Sequence, residues 1–423
     1  MNLLLPARAG VLVTFVSLSL TALAEDPITI LSAVDARDVG ALERAAQSKS
    51  APDDERSLAS GVLLALRGRD DAAVAALSRS AHRASSTDAL RRRAFAALVD
   101  VRMRQGRYAQ AAAAGDDAIK LGDTSTDIAM NRDFSAALRS VSPMTGRATR
   151  REELETQRDA AGLPRAMLTV NGETVQAIVD TGAAFSTLNA STAARLHVRF
   201  VGPEVTVRSS TSDSVSAHLA VAAKLKFGSV EFENAVFIVF PDAALSFADG
   251  AYTIDAIVGL PILRRLGCIE FADGEKDRGH LYLGPVPPPT SADSNLILDG
   301  LQPIALLGVE GTDVRLRMLV DTGADKTQLK TLAVHDFPKL DASGKLDSFN
   351  IGGAGAVATQ HETPAIPKLP LKVFTAVVTL ADVPVLAGNS SVLHGVLGQD
   401  LLDSQHGYTI DFDSMQITLT EAR

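Results

Sequence analysis

Between Ile28 and Val141 apolar residues recur every three or four positions among Ala, Leu and Arg, with little β-branched alternation, a period that predicts amphipathic helices. Two matching breaks, Gly68-Arg69-Asp70-Asp71 and Gly106-Arg107-Tyr108-Ala109, lie 38 residues apart between helix-like stretches and read as the turns of repeated helix pairs. From Ser142 to Gly162 the chain turns polar and charged, and the period then changes to two. Ala166 to Val170 and Thr174 to Val179 flank Asn171-Gly172, a strong hairpin turn. Consecutive prolines from Pro285 to Pro289 interrupt this β region, because proline cannot donate to a sheet ladder. From Leu296 the β pattern resumes, ending in Tyr408–Phe412 and Met415–Leu419 around a short Asp-Ser turn. The expected organisation is α+β and multidomain: a leader over 1–24, a helical repeat-like domain over 25–141, a linker over 142–162, a β domain over 163–285, a second linker over 286–295, and a second β domain over 296–423.

The two β halves repeat each other. Val179-Asp180-Thr181-Gly182-Ala183 returns as Val320-Asp321-Thr322-Gly323-Ala324, and Ala256-Ile257-Val258-Gly259 returns as Gly395-Val396-Leu397-Gly398. The separations from Asp to the downstream Gly are 79 and 77 residues, so one architecture is used twice. A single Asp-Thr-Gly is weak evidence, but two at matched distances from a second matched motif are not accidental.

At these residues the chain resembles the retropepsin-like aspartic proteases. Asp321-Thr322-Gly323-Ala324-Asp325-Lys326-Thr327 is similar to the retroviral active-site loop, Phe349 to Gly355 to its glycine-rich flap, and Gly259 to Cys268 to its closing helix and strand. The resemblance covers about Pro164 to Arg423 and implies two all-β domains paired about a pseudo-twofold axis as a bilobal protease. A weaker resemblance links the N-terminal helices to tetratricopeptide repeats, whose usual period is about 34. A generic helical bundle fits those helices nearly as well.

Metal-free hydrolysis of a peptide needs one group to take a proton from water and another to give one to the carbonyl oxygen. Two adjacent carboxyls sharing one proton supply both, and Asp180 and Asp321 are the candidates. The resemblance implies supporting roles for their neighbours. Gly182 and Gly323 allow tight turns, Thr181 and Thr322 hydrogen-bond across the axis, and Gly259 and Gly398 let their segments pass behind the loops. Ser186 and Thr327 are candidates for local support, and Ile351, Gly352 and Gly353 for contact with substrate from the flap. Ala183 and Ala324 stand where many pepsin-like enzymes carry a hydroxyl. Leu260 and Gln399 stand where the retroviral family has an Arg that pairs with the loop acid, so Asp325 lacks that partner, and solvation, another ion pair or substrate contact all remain open to it. The first half lacks a glycine-rich flap, with Val207 to Ser214 only a candidate hairpin.

Composition narrows the alternatives. At 46% hydrophobic and 22% charged the chain is of globular type, and its net charge of -9 offers no footprint for nucleic acid. Arg91, Arg92 and Arg93 read as a solvated helix face. Arg8, the apolar stretch from Val11 to Leu23 and Ala22-Leu23-Ala24 form a signal-peptide pattern, so the mature chain is expected in the periplasm or outside the cell, with no membrane span left after cleavage. The single cysteine, Cys268, cannot form an intrachain disulfide and sits in a strand-like context that suits a small buried residue. Neither Gly-x-Ser-x-Gly nor His-Glu-x-x-His occurs, the eight His are scattered, and no cofactor or metal is expected. The expected partner is a peptide or protein substrate, with the helical domain a further surface for a protein partner and a monomer the expected state. Two readings compete with this one: a silent peptide-binding scaffold on the same fold, and β domains that pair between chains. The helices read as a separable module, without which the β region is expected to fold and cut short peptides.

Overall fold

The computed structural model describes residues 29–209, 211, 215–274, 278–287, 294–388 and 392–420. The leader lies outside them, as do residues 210 and 212–214 of the candidate first-half hairpin and 288–293 of the second linker.

Seven helices open the described chain: α1 (Ile30–Asp35), α2 (Val39–Gln47), α3 (Asp53–Leu66), α4 (Asp70–His82), α5 (Asp88–Arg104), α6 (Tyr108–Lys120) and α7 (Thr126–Ala137). Three of the starts follow side-chain capping: Asp38, Thr87 and Ser125 accept from the backbone N–H groups of Ala41, Leu90 and Ile128. In α5 the buried positions include Leu90, Ala94, Leu98 and Val101, the stripe that the helical period requires. Both repeated turns form as expected. Gly68 joins α3 to α4 and Gly106 joins α5 to α6, each with φ near +68° (67° and 69°), a conformation that glycine adopts without penalty.

The two β lobes share one topology. In the first, strand Glu173–Val179 pairs antiparallel with Pro164–Val170 and parallel with Ala256–Val258, which pairs in turn with Ser186–Asn189. In the second, Arg315–Val320 pairs antiparallel with Gln302–Val309 and parallel with Gly395–Leu397, which pairs with Gln328–Lys330. Repetition in sequence is therefore repetition in strand order and direction.

Two features depart from the expected boundaries. Strand Glu152–Arg158 lies inside the segment read as a linker and pairs with Arg278–Leu283 and Pro164–Val170. It buries Thr156 alone among its seven residues and half-buries Glu152, Leu154 and Arg158, so its sequence reads as polar although its faces alternate. Strand Gly407–Asp411, near the chain end, pairs antiparallel with Cys268–Asp273 of the first half, so one sheet spans both lobes. Cys268 is fully buried in that sheet. Burial first, and the Asp411 carboxylate next, push its thiol up to about 12, leaving it unreactive.

The helices are not a detached module. One apolar cluster takes in Leu58, Leu77 and Phe95 from the helices together with Phe185, Leu219, Ile304 and Leu319 from the two lobes. Arg104 of α5, almost wholly buried, donates to Asp70 at 2.9 Å and to the carbonyls of Leu298 and Gly300 at 3.2 and 3.0 Å. Asp70 also receives Arg264 of the first lobe at 2.6 Å, and Arg37 reaches Asp299 at 2.7 Å. Apolar packing and charge pairs, Arg104–Asp70 the most buried of them, tie the helices to both lobes, so excising the helices would bare apolar surface on each.

The same seam makes a pH-dependent prediction. Asp100 is pushed up to about 6, by burial first and by Asp299 next, against the lowering pull of Arg37 and Arg104. A carboxyl raised in the native state loses stability as pH climbs from its unfolded value near 3.9 through its native one. Asp100→Asn is therefore expected to raise Tm at pH 8 and leave it unchanged at pH 4. Equal shifts at both pH values would show that ionisation at Asp100 is not the cause.

Candidate active site

Each Asp-Thr-Gly loop starts where a strand runs out. The N–H of Asp180 donates to the Val258 carbonyl at 3.1 Å and that of Asp321 to the Leu397 carbonyl at 3.2 Å, holding each acid beside the apolar-apolar-Gly strand of its own lobe. Gly259 and Gly398 then pass directly behind the loops. A Cβ on Gly259 would lie 2.6 Å from the Phe185 backbone, and one on Gly398 would lie 2.7 Å from the Lys326 nitrogen, so only glycine fits either place. The Gly259 N–H donates to the Ser186 hydroxyl and the Gly398 N–H to the Thr327 hydroxyl, both at 3.1 Å. Ser186 and Thr327 thus fasten each loop to the strand behind it.

The loops are also fastened to each other. Thr181 donates its hydroxyl to the Val320 carbonyl at 2.6 Å, and Thr322 donates its own to the Val179 carbonyl at 2.6 Å. Each hydroxyl oxygen accepts from the other threonine's N–H, at 3.0 and 3.2 Å. Both side chains are fully buried. Thr322→Val leaves the Val179 carbonyl and the Thr181 N–H without these partners in a dry site, where each unsatisfied group costs about 1–3 kcal/mol. The expected loss is about 2–5 kcal/mol in urea unfolding. A loss below about 0.5 kcal/mol would mean that the threonines are ordinary strand residues.

Gly182 and Gly323 have a reason beyond turning. A Cβ on Gly182 would overlap the carboxyl group of Asp321, and one on Gly323 that of Asp180. Each loop's glycine makes room for the other loop's acid.

The two carboxyl groups lie within hydrogen-bonding reach of one another and are half-buried between the lobes. Asp180 Oδ1 accepts from the Ala183 N–H and Asp321 Oδ1 from the Gly323 N–H, each at 2.9 Å. Burial raises both above the ordinary carboxylate range. For Asp321 the Asp180 charge adds to the effect and carries it well above that range. The pair therefore keeps one proton at a pH where isolated carboxyls have lost theirs.

The other sequence candidates fall around this centre. Phe349 to Gly355 lies in a hairpin of Gly344–Gly353 and Ala356–Val373, with Ile351, Gly352 and Gly353 just before its tip. At the tip the Gly355 N–H donates to the Ala244 carbonyl of the first lobe at 2.8 Å, so the hairpin reaches from one lobe to the other. In the first half, strands Arg199–Val207 and Val215–Phe227 form the matching hairpin, and Arg208 pairs with Asp127 of α7. Asp325 is exposed and pairs with no cation among the described residues. Gln399, at the family's Arg position, donates to the Thr322 carbonyl at 2.7 Å instead. Sequence reasoning missed three contributors. Asp400 accepts from both the N–H and the hydroxyl of Thr327 at 2.7 Å, Ala244 receives the flap tip, and Phe134 of α7 packs 4.6 Å from Phe185 of the first loop. None has a local signal, since each meets its partner only through the fold.

Comparison with known proteins finds similarity in part of the chain. Residues 166–262 match the family described as Aspartyl protease. A retropepsin-like aspartic protease from Rickettsia conorii, of known crystal structure, is 19% identical over a match covering 33% of this chain and 96% of that one, with a TM-score of 0.24. No curated protein matches the chain. The matched residues 166–262 include Asp180 and its loop, and over them the chain is similar to the aspartyl protease family.

Proposed function

We propose that the chain is an aspartic endopeptidase in which Asp180 and Asp321, one from each lobe, activate water against a peptide bond. The observation that carries this reading is the carboxyl pair itself, two acids within hydrogen-bonding reach in one chain, held by reciprocal threonine bonds and facing glycines that leave each of them space. The ionised partner takes a proton from water while the protonated partner gives one to the carbonyl oxygen. The cross-lobe hairpin, with Ile351 to Gly353 near its tip, would cover a substrate held at the pair. A peptide library incubated at several pH values, beside Asp180→Asn, tests the proposal. Internal cleavage by the parent and none by the variant is expected, while an inert parent that still binds peptides would favour the silent scaffold. We further propose export, supported by Arg8 and the apolar stretch ending at Ala24. A mature N-terminus at Met1 would overturn it.

The pH profile follows from the pair. Alanines at 183 and 324 supply no hydroxyl to favour the ionised form, and burial raises both acids, so a bell-shaped profile centred in the mildly acidic range is expected. Ala324→Ser should move the acid limb to lower pH. An optimum deep in the acid range for the parent would require another donor at the pair.

A further inference from the structure

Away from the acid pair, a cavity of about 810 Å³ opens where the two helical turns meet the first lobe. Eight arginines line it against three aspartates, Asp70, Asp71 and Asp413, in a chain whose net charge is -9. The aspartates are already engaged. Asp70 takes Arg104 and Arg264 at 2.9 and 2.6 Å, Asp413 takes Arg147 at 2.7 Å, and Asp71 accepts from the Gln105 amide at 2.8 Å. Arg67 pairs with Glu43, so four guanidinium groups remain without a carboxylate. Arg102 meets only the Gln105 amide oxygen at 3.0 Å and Arg265 only the Gly146 carbonyl at 3.2 Å, while Arg69 and Arg107 have no side-chain partner among the described residues.

Isolated surface arginines are ordinarily solvated, but these come from two helix turns and a separate lobe and converge on one concavity. Arg102 is held below the usual guanidinium range by burial and then by Arg107, against the raising pull of Asp71, and Arg265 by burial and then by Arg264 and Arg147, as expected where like charges crowd. On the same wall α6 begins at Tyr108 with Arg107 as its cap residue, no side-chain cap bond and no acid in its first turn. Planar guanidinium forks suit the paired oxygens of phosphate and carboxylate.

We propose that this cavity binds a small polyanion, a molecule carrying two or more phosphate or carboxylate groups, at a site separate from the acid pair. The inference does not depend on the proposed peptidase activity. Sodium tripolyphosphate and citrate, titrated calorimetrically into the full chain at constant ionic strength, are the two probes. Binding of tripolyphosphate alone would assign phosphate, of citrate alone carboxylate, and of both the shared chemistry. R69Q/R107Q is expected to weaken that binding by about tenfold or more. Because these two side chains are exposed and relieve no acid, the same variant should keep or raise the Tm of the unliganded protein, whereas R69K/R107K should retain most of the binding. The proposal is overturned if neither probe binds, if R69Q/R107Q binds as well as the parent, or if both double variants lose binding together with a lowered unliganded Tm, the pattern of a purely structural role.

Discussion

Asparagine at position 180 or at position 321 is expected to lower kcat for peptide hydrolysis by at least about 10³-fold, because neither acid can act as both proton donor and proton acceptor. The double variant should be no worse than either single one, since the two residues work as one unit. Stability should move the other way. Burial and mutual charge raise both native pKa values, so the parent loses stability as pH rises from the unfolded value near 3.9 through the raised ones. Each Asn variant escapes that loss and should melt higher than the parent at pH 8, with the difference vanishing below about pH 4. Turnover measured on a good peptide substrate, paired with melting curves across that range, checks both halves. Substantial activity in a folded single variant would remove the dyad. Lost activity with a lowered Tm at pH 8 would instead point to a broken fold.

The acid loops were legible in the sequence because their chemistry and their crowding both demand particular residues. Asp180 and Asp321 recur at matched places in a repeated triplet, and Gly182, Gly323, Gly259 and Gly398 sit where a Cβ would meet a carboxyl or a backbone. The threonine bonds follow from the same repeated triplet. The helix turns at Gly68 and Gly106 were legible for a local reason, their left-handed backbone. Strand Glu152–Arg158 was hidden, since a strand with one buried residue in seven carries no alternating apolar signal. Also hidden was the attachment of the helices. Ile304 and Leu319 read as ordinary core positions of a β lobe, and Arg104 as one cation in a basic helix; nothing local records that they meet across 194 residues or more, as Arg104 and Leu298 do.

Removal of residues 25–140 is therefore expected to leave an insoluble or molten β region rather than a working peptidase. The excision would bare buried side chains on both lobes at once: Phe185 and Leu219 on the first, Ile297, Ile304 and Leu319 on the second. At roughly 2 kcal/mol for each large apolar side chain returned to water, the loss is on the order of 10 kcal/mol, comparable with the whole stability of a typical domain. The polar seam adds to it, because Arg264 and Asp299 would lose Asp70 and Arg37, and the carbonyls of Leu298 and Gly300 would lose Arg104. A truncated chain that still folded would meet a second difficulty at the site. Phe134 packs against Phe185, five residues after Asp180, and α7 lies against strand Arg199–Val207, with the Cα of Ala137 so near Gly202 that a Cβ there would lie 3.2 Å from it. Both the acid loop and the first-lobe hairpin would lose a wall that holds them. Expression of the truncated chain, followed by near-UV circular dichroism and peptide turnover, decides the matter. A soluble, cooperatively melting fragment with parental kcat would show that the helices ride on the lobes without completing them. Arg104→Met gives a milder version of the same test in the full chain, expected to cost about 3–5 kcal/mol by leaving Asp70 short of a partner and the carbonyls of Leu298, Gly300 and Ala65 without this donor.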